Sequence, residues 1–277
     1  MLLDMSIKPF LKWAGGKRQL LPEIRSFVPS QVSRYVEPFM GGAAVFFDLM
    51  PEKAVLNDIN TELVNCFNVV KQFPQELIQD LRKHKYNIEY YNKIRSLDRE
   101  KGGLLSLGEV ARASRFIFLN RTGFNGLYRV NSKGFFNVPI GRYDKPRIVD
   151  EQTLLACSEC LQSAQITNRS FENVLAVTEP GDFVYLDPPY IPLSQTSSFT
   201  KYADAGFDAT DQAKLANAVR VLDSRGVSFL ASNSFTESVF ELYRGFHIAE
   251  VSATRAINSK SDERQAVKEV LITNCNN

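Results

Sequence analysis

The sequence predicts an α/β fold in which a Rossmann-like sheet is interrupted by an inserted domain of helices and a β-hairpin. Residues 34–58 follow the order strand, glycine turn, helix, strand and acid, which opens a nucleotide-binding βαβ unit. Residues 60–120 instead carry apolar side chains at three- and four-residue spacing, which is typical of helices. Beyond this stretch the alternation of helix and strand resumes. Because an interruption of about 90 residues is too long for a connecting loop, we predict two domains: residues 1–59 with 148–277, and residues 60–147.

The elements of the first part and of the insert follow from the local pattern. We predict strands at 34–37 and 54–56, separated by a tight turn at 38–42 and a helix at 43–49. The 3.6-residue periodicity of the insert predicts helices at 62–73, 75–83, 88–97 and 107–119. Residues 120–143 are rich in glycine, asparagine and aromatic side chains, so we interpret them as a loop and hairpin that turns at Asn131-Ser132-Lys133-Gly134.

The last part of the chain alternates between the two periodicities. Helices are predicted at 151–161, 171–177, 210–225 and 235–243, the third of them ended by Gly226. Strands are predicted at 164–168, 182–186, 227–232 and 267–273.

Composition excludes several classes of protein. The 277 residues are 44% apolar and 23% charged, as in ordinary globular chains. No apolar run approaches the roughly 18–20 residues that cross a bilayer, and the first residues lack a signal pattern, so we expect a cytoplasmic protein. The four cysteines include one C-x-x-C, Cys157 and Cys160, and there are only two histidines. These numbers argue against a disulfide scaffold and against a zinc site.

The small net charge of +2 is unevenly distributed. Between Arg112 and Arg147, eight basic residues and one acid give +7, which leaves −5 for the rest of the chain. This asymmetry indicates a local surface that binds a polyanion. A solvated basic surface without a ligand is the alternative reading.

Asp187-Pro188-Pro189-Tyr190 directly follows the predicted strand at 182–186, at the end of a parallel strand where ligands bind. The two prolines fix φ and remove two backbone donors, so the loop is stiff and offers carbonyl acceptors. Asp187 and the Pro188 carbonyl could accept both N–H groups of a planar ring's exocyclic amine while Tyr190 stacks on the ring. The alternative is a proline-rich strand exit with a capping Asp.

This arrangement suits methyl transfer to an aromatic amine. The lone pair of such a nitrogen is delocalised into the ring, and accepting both hydrogens favours a pyramidal nitrogen whose lone pair points out of the plane. The sequence shows neither a Ser-His nor a Cys-His pair. Positioning and electrostatics beside an electrophilic methyl group would therefore supply most of the rate.

The glycine turn constrains the cofactor. Glu37-Pro38-Phe39-Met40-Gly41-Gly42 does not match G-x-G-x-x-G, which argues against a nicotinamide oxidoreductase. The two glycines permit close backbone approach, but Glu37 would repel a pyrophosphate, and Asp58 is placed to bind two ribose hydroxyls. A nucleoside with a cationic sulfonium and no phosphate, S-adenosylmethionine, satisfies these conditions.

A third cluster lies near the start of the chain, where Lys12-Trp13-Ala14-Gly15-Gly16-Lys17 contains the only tryptophan. It could be a basic start of the first helix, or a lid that brings Lys17 near the cofactor carboxylate. The residues alone favour neither.

In this order, the three clusters resemble the Dam-type DNA adenine-N6 methyltransferases, and most closely the DpnM-like modification methylases. The likeness runs from Pro9 to about Asn274. It includes the three clusters, Asn57-Asp58, Ser232-Asn233-Ser234 and two stretches of the hairpin, which begin at Phe124 and Phe136. Other amino-methyltransferases share Asp-Pro-Pro-Tyr, whereas the hairpin stretches are more specific.

The resemblance implies an S-adenosylmethionine-dependent methyltransferase whose insert, residues 60–147, recognises DNA. The catalytic residues would be Asp187, Pro188, Pro189 and Tyr190. The cofactor contacts would be Trp13, Lys17, Glu37, Pro38, Phe39, Gly41, Gly42, Asp58, Ser170, Phe171 and Asp187.

The resemblance also implies the residues that bind DNA: Lys12, Arg112, Arg115, Asn125, Leu127, Arg129, Asn137, Pro139, Arg142 and Tyr143. Arginine reads guanine in the major groove and apolar tips suit a thymine methyl, while the remaining arginines would hold phosphates. Relatives with this hairpin act on GATC, so we predict methylation of its adenine, which must leave the duplex stack. Residues 191–206 and 254–264 are expected to form loops beside the flipped base and the DNA.

We expect a monomer that acts on double-stranded DNA and needs neither a metal nor a membrane. Two alternatives are an enzyme for RNA adenine or a protein amide with the same Asp-Pro-Pro-Tyr site, and a DNA-binding module without catalysis. The basic insert argues against the first, and the intact Asp187 and Tyr190 argue against the second.

Overall fold

The computed structural model describes residues 7–190, 207–254 and 266–275. Within them, seven strands form one mixed sheet: β1 (Arg34–Glu37), β2 (Ala54–Asn57), β3 (Ala164–Thr167), β4 (Asp182–Leu186), β5 (Ser228–Ser234), β6 (His247–Thr254) and β7 (Ala266–Thr273). Their order is β3-β2-β1-β4-β5-β7-β6. β1 pairs in parallel with β2 and β4, and β4 with β5, whereas β7 is antiparallel to β5 and β6. The predicted α/β fold is confirmed. The loop predicted at 191–206 lies outside the described residues, as does the loop predicted at 254–264 except for Thr254, the last residue of β6.

Apart from α1, for which no bounds were predicted, the helices begin and end close to the predicted positions. They are α1 (Leu21–Ser26), α2 (Ala44–Leu49), α3 (Thr61–Gln72), α4 (Pro74–Leu81), α5 (Ile88–Ser96), α6 (Glu109–Thr122), α7 (Glu151–Leu161), α8 (Phe171–Leu175), α9 (Ala209–Ser224) and α10 (Glu237–Leu242). Local capping explains the starts of α3 and α9, because Asn60 accepts two backbone N–H groups and Asp208 forms a capping box with Asp211. Strand β6 was not predicted; β7 pairs with it along its whole length.

The chain divides into two compact units. The first unit comprises Met1–Gly16, Gly41–Met50 and Asp58–Asn168. The second unit comprises Lys17–Met40, Pro51–Asn57 and Arg169–Asn277. These bounds differ from the predicted domains because α3 packs on α7 as well as on α6, which keeps α7 with the insert.

In the first unit, the hairpin packs on the helices of the insert. Tyr91 of α5 and Phe118 of α6 form a buried cluster with Phe136 and Val138 of the hairpin. Because these apolar side chains leave water together, their burial fixes the hairpin on α5 and α6.

In the second unit, β1 is the point at which the strand order reverses, since β2 and β4 lie on its two sides. Glu37 is the last residue of β1, and Asp187 follows β4 directly. Ligands of open α/β sheets bind at the carboxyl ends of the strands at such a point. The fold therefore places two of the predicted site carboxylates at its expected ligand-binding edge.

Among the described residues, no helix has the length and apolar character to span a bilayer. The same residues contain no group of three or more His, Cys, Asp or Glu side chains that could hold a metal ion.

Candidate functional site

Asp187 is joined to a buried lysine. Lys17 Nζ lies 2.8 Å from Asp187 Oδ1; the lysine side chain is 6% exposed and that of Asp187 24%. Burial raises the pKa of the Asp187 carboxyl, and the ammonium of Lys17 opposes that rise. Lys17, predicted to lie near a cofactor carboxylate, thus ion-pairs with the predicted catalytic carboxylate.

Tyr190 is held by its hydroxyl and by one face of its ring. The hydroxyl donates a hydrogen bond to Glu269 Oε2 at 2.8 Å, and Lys17 Nζ lies 4.8 Å from the ring centroid. Burial, with the charges of Asp187 and Glu269, raises the pKa of Tyr190 well above its ordinary value. The phenol is therefore neutral at physiological pH and remains a hydrogen-bond donor.

The carbonyl of Pro189 is fixed from α9. Gln212 donates its Nε2 hydrogen bond to Pro189 O at 2.6 Å and accepts one from Asn233 Nδ2 at 3.4 Å. Gln212 and Asn233 are both buried. The loop is therefore stiffened by a side-chain bridge to β5 as well as by its two prolines.

The start of the glycine turn is tied to the segment before α8. Asn57 donates Nδ2 hydrogen bonds to the carbonyls of Pro38 and Arg169, both at 3.0 Å, and accepts one from Arg169 N at 2.9 Å. Phe39 and Phe171 lie with ring centroids 5.5 Å apart, and Ser170 Oγ caps α8 by accepting from Asn173 N. Five of the predicted cofactor residues, Glu37, Pro38, Phe39, Ser170 and Phe171, are thereby brought onto adjoining segments of the second unit.

In the first unit, Trp13 lies directly on the two glycines of the turn. A Cβ added to Gly41 would come within 2.7 Å of the indole, and one added to Gly42 within 3.0 Å of Trp13 Cβ. Gly41 also has a φ of +46°, in the left-handed region. Only glycine fits here, so this contact explains the Gly-Gly pair.

Asp58 supports the same turn. Its Oδ2 accepts a hydrogen bond from Gly41 N at 3.1 Å, and its Oδ1 accepts one from Asn60 N at 2.9 Å. Burial raises the pKa of the Asp58 carboxyl, and the two backbone N–H groups counteract that rise. Since each carboxylate oxygen can accept more than one hydrogen bond, these contacts leave Asp58 able to accept from ribose hydroxyls.

The predicted hairpin turn is present: Gly134 N donates to Asn131 O at 2.8 Å, and Asn131 N donates to Phe135 O at 2.9 Å. Next to it, Asn137 N donates to Arg129 O at 3.0 Å, and Arg129 Nε donates to Asn137 Oδ1 at 2.7 Å. The guanidinium of the exposed Arg129 is therefore oriented by its cross-strand neighbour.

Asn120 joins Lys12 to the loop that carries Asn125. Its side chain accepts from Lys12 N at 2.9 Å and donates to the carbonyls of Lys12 and Gly126, both at 2.7 Å. Lys12 Nζ then lies 4.7 Å from the ring centroid of Tyr143. Asn125 is exposed, with a φ of +54°. The buried amide of Asn120 thus positions Lys12 and the loop of Asn125, and Lys12 in turn contacts the ring of Tyr143.

Two of the predicted phosphate contacts point into the protein. Arg115 is buried, pairs with Asp98 at 3.0 Å and donates to the carbonyls of Ile94 and Arg95. Arg112 makes a two-pronged ion pair with Glu62. Both guanidinium groups are engaged inside the first unit, so neither arginine is among the DNA contacts that we propose.

The other predicted DNA contacts differ in exposure. Pro139 and Arg142 are exposed, whereas Leu127 is half-buried against the cluster of Tyr91 and Phe118. Leu127 therefore packs against this cluster, in addition to the DNA contact predicted for it. Phe124, an exposed aromatic residue that is not among the predicted DNA contacts, lies beside Asn125.

Sequence reasoning missed the residues that support the site. Each of these residues hydrogen-bonds to a partner more than 20 positions away in the sequence. They are Glu269 on β7, Gln212 on α9, Asn120 on α6 and Asp98 after α5. No local pattern marks such partners. The C-x-x-C pair consists of two free thiols, and burial raises the pKa of Cys157 to about 12 and of Cys160 to about 11, which keeps both protonated at neutral pH.

Comparison with known proteins decides the family. A family model described as D12 class N6 adenine-specific DNA methyltransferase matches residues 13–257. The chain belongs to this family. The methyltransferase is 46% identical over 277 residues to the type II methyltransferase M1.LlaDCHI of Lactococcus lactis subsp. cremoris, covering 99% of this chain and 97% of that one.

Two further relatives span the same group. Identity is 43% over 291 residues to the type II methyltransferase M.MjaIII of Methanocaldococcus jannaschii, with 98% and 100% of the two chains covered. It is 36% over 268 residues to the DNA adenine methylase of Escherichia coli K12, with 95% and 94% covered. The protein is thus an adenine-specific DNA methyltransferase of the group that holds DNA adenine methylases and type II modification methylases, and it uses S-adenosylmethionine.

The residues present fit this cofactor. In the second unit these residues are a buried carboxylate, Glu37, and the paired rings of Phe39 and Phe171. Considered by itself, the first unit contains Asp58, which accepts a hydrogen bond from Gly41 N of the glycine turn. Carboxylates suit a sulfonium and ribose hydroxyls, and aromatic rings suit an adenine. The same carboxylates would repel a pyrophosphate.

Proposed function

We propose that the protein methylates N6 of adenine within GATC in duplex DNA, after flipping that base out of the helix, by direct in-line transfer. The contact that carries the proposal is the one made by Lys17. Its ammonium donates to Asp187 while lying 4.8 Å from the centre of the Tyr190 ring. The loop therefore binds a nitrogen donor beside an aromatic ring, which is what an exocyclic amino group requires.

In the reaction, Asp187 and the Pro188 carbonyl accept hydrogen bonds from the two N–H groups of the amine, and Tyr190 stacks on the adenine ring. When bound, S-adenosylmethionine supplies an electrophilic methyl group on a sulfonium. The stiffness given by Pro188, Pro189 and the Gln212 bridge holds the acceptors in one geometry, which favours the attacking lone pair. No nucleophilic side chain has to form a covalent bond.

We propose that the cofactor contacts are those predicted: Trp13, Lys17, Glu37, Pro38, Phe39, Gly41, Gly42, Asp58, Ser170, Phe171 and Asp187. Lys17 donates to Asp187 in the structure, and a role toward the cofactor carboxylate requires its ammonium to serve both groups or to move. The domain roles stay as predicted, with 60–147 recognising DNA and the rest holding the cofactor.

We propose that the hairpin reads the site. Arg129 is exposed and oriented by Asn137, and Lys12, Asn125, Pro139, Arg142 and Tyr143 lie on or next to the same loops. A bidentate arginine distinguishes guanine, and exposed basic side chains hold phosphates. Flipping the adenine costs a few kcal/mol, which contacts of this kind must offset.

We place the reaction in the cytoplasm with a single copy of the chain as the active unit. The two type II methyltransferases share more of this sequence than the E. coli DNA adenine methylase does, which favours a modification enzyme of a restriction system over a stand-alone methylase.

The test is to incubate plasmid DNA with the protein and S-adenosylmethionine and then expose it to GATC endonucleases that are blocked by adenine methylation and to one that is indifferent to it. We expect protection from the first kind only. Cleavage by both would reject GATC as the site, and a methyl count on duplex DNA, single-stranded DNA and RNA in parallel would identify the acceptor used instead.

A further inference from the structure

We propose that Asp98 is a positioning residue for sequence recognition: it fixes the hairpin strand that orients Arg129, without touching DNA itself. This inference rests on the proposed function, in which the hairpin reads the site. Asp98 lies in the short turn after α5, and its side chain is 6% exposed. Nothing in the local sequence marks it.

The carboxylate binds the hairpin backbone directly. Asp98 Oδ2 accepts a hydrogen bond from Phe136 N at 2.7 Å, and Arg99, the next residue, donates Nη2 to Phe136 O at 2.7 Å. Both backbone groups of one hairpin residue are therefore bound from the same turn. The guanidinium of Arg99 also lies 5.2 Å from the ring centroid of Phe135.

Asp98 is in turn fixed by the interior of the first unit. Arg115 of α6 lies 3.0 Å from Asp98 Oδ2 and donates to the carbonyls of Ile94 and Arg95 on α5. A buried carboxylate that pairs with a buried guanidinium and two further donors has little freedom to move. The ion pair therefore anchors the hairpin to α5 and α6.

The anchored residue is adjacent to the one that orients Arg129. Asn137 follows Phe136 in the chain. Its backbone N–H donates to Arg129 O, and its side-chain Oδ1 accepts a hydrogen bond from Arg129 Nε. A bidentate contact with guanine depends on the placement of the guanidinium, because its two donors must meet two acceptors at once. Displacing Phe136 should therefore misplace Arg129.

The test compares Asp98→Asn with Glu62→Gln as a matched control. Glu62 also pairs with an arginine of α6, Arg112, but that ion pair contains no hairpin residue. The measurement is the ratio of kcat/KM on a duplex containing GATC to kcat/KM on a duplex with one guanine replaced. Cofactor affinity and the unfolding temperature are measured on the same samples, and Asp98→Glu serves as the conservative variant.

We expect Asp98→Asn to lower this ratio by about threefold to thirtyfold, the range of coupling through contacting residues. Glu62→Gln should leave the ratio unchanged, cofactor affinity should be the same in all variants, and Asp98→Glu should restore part of the discrimination. An equal loss on both duplexes with an unchanged ratio would mean a purely structural role and would overturn the inference.

Removing a buried charge partner can prevent folding, so Arg99→Leu provides a second variant. The Arg99 side chain is one-third exposed. Its loss frees Phe136 O and removes one ion-pair partner of Asp98, while the Asp98–Arg115 pair remains. The ratio should fall here too, and an unchanged ratio overturns the inference. Arg129→Ala distinguishes the two proposals. If it lowers the ratio while Asp98→Asn and Arg99→Leu leave the ratio unchanged, only the role of Asp98 is rejected. If Arg129→Ala also changes nothing, the proposed reading by the hairpin fails, and the role of Asp98 fails with it.

Discussion

The loop at residues 187–190 and the hairpin at residues 120–143 differ in how far their polar groups are bound within the protein or exposed at its surface. In the loop, Asp187, the Pro189 carbonyl and the Tyr190 hydroxyl are each bound by another side chain. In the hairpin, Arg129 and Arg142 are exposed, although Arg129 Nε donates a hydrogen bond to Asn137 Oδ1. A reacting group needs one fixed geometry, whereas a DNA-binding surface needs donors that remain free to meet phosphates and bases.

The arginines of α6 show that charge alone does not distinguish these two cases. Arg112, Arg115 and Arg121 belong to the same basic stretch as Arg129 and Arg142, yet the first three bind Glu62, Asp98 and the Phe10 carbonyl inside the first unit. A count of +7 therefore overstates the charge that faces a polyanion. Three sets of substitutions test this comparison of the loop with the hairpin.

The largest effect is expected in the loop. Asp187→Asn keeps the size of the side chain but replaces one acceptor oxygen with an NH2 group that can accept nothing. Methyl transfer should fall by about 10²–10³-fold or more, as when one preorganised polar contact to the reacting group is lost. Single-turnover methylation measures this, and DNA affinity should stay close to that of the parent protein. A variant that retains full activity would remove Asp187 from the catalytic role.

An intermediate effect is expected from Lys17→Met, because Lys17 is what opposes the rise in the pKa of Asp187. Without the ammonium, burial and the charge of Glu269 remain, and both raise that pKa. The ionised acceptor then forms only at higher pH, so the acidic limb of the kcat profile should move to higher pH. Lys17→Arg keeps the charge and should leave the limb near its original place. If the methionine variant moved the limb to lower pH or not at all, the ion pair would not govern Asp187.

The smallest effect is expected for phosphate contacts. Arg142→Ala should reduce the slope of log affinity against log salt by about 1, because one fewer counterion is released. Arg112→Ala should leave this slope unchanged, since its guanidinium is already paired with Glu62. DNA titrations at several salt concentrations measure both. Equal slopes for the two variants would contradict the division of the basic stretch into buried and exposed cations.

Much of the fold followed from periodicity and turn chemistry. The strand Asp182–Leu186 and the helix Glu151–Leu161 have the bounds that the sequence predicts, because an apolar run and an amphipathic pattern are local signals. The hairpin turn at Asn131 was predictable for the same reason. Strand β6 was not predicted, and the ladder that defines it is supplied by β7.

The sequence by itself determined which residue types could do the chemistry: an acceptor loop after a strand, a glycine turn that excludes a pyrophosphate, and an arginine in a hairpin. The order and spacing of the residues specify those properties. Only the tertiary structure decided which cations face inward, because a guanidinium becomes structural when a carboxylate from another segment is folded against it, as Asp98 is against Arg115. The same holds for Glu269 and Gln212, whose contacts with the loop depend on the packing of distant segments.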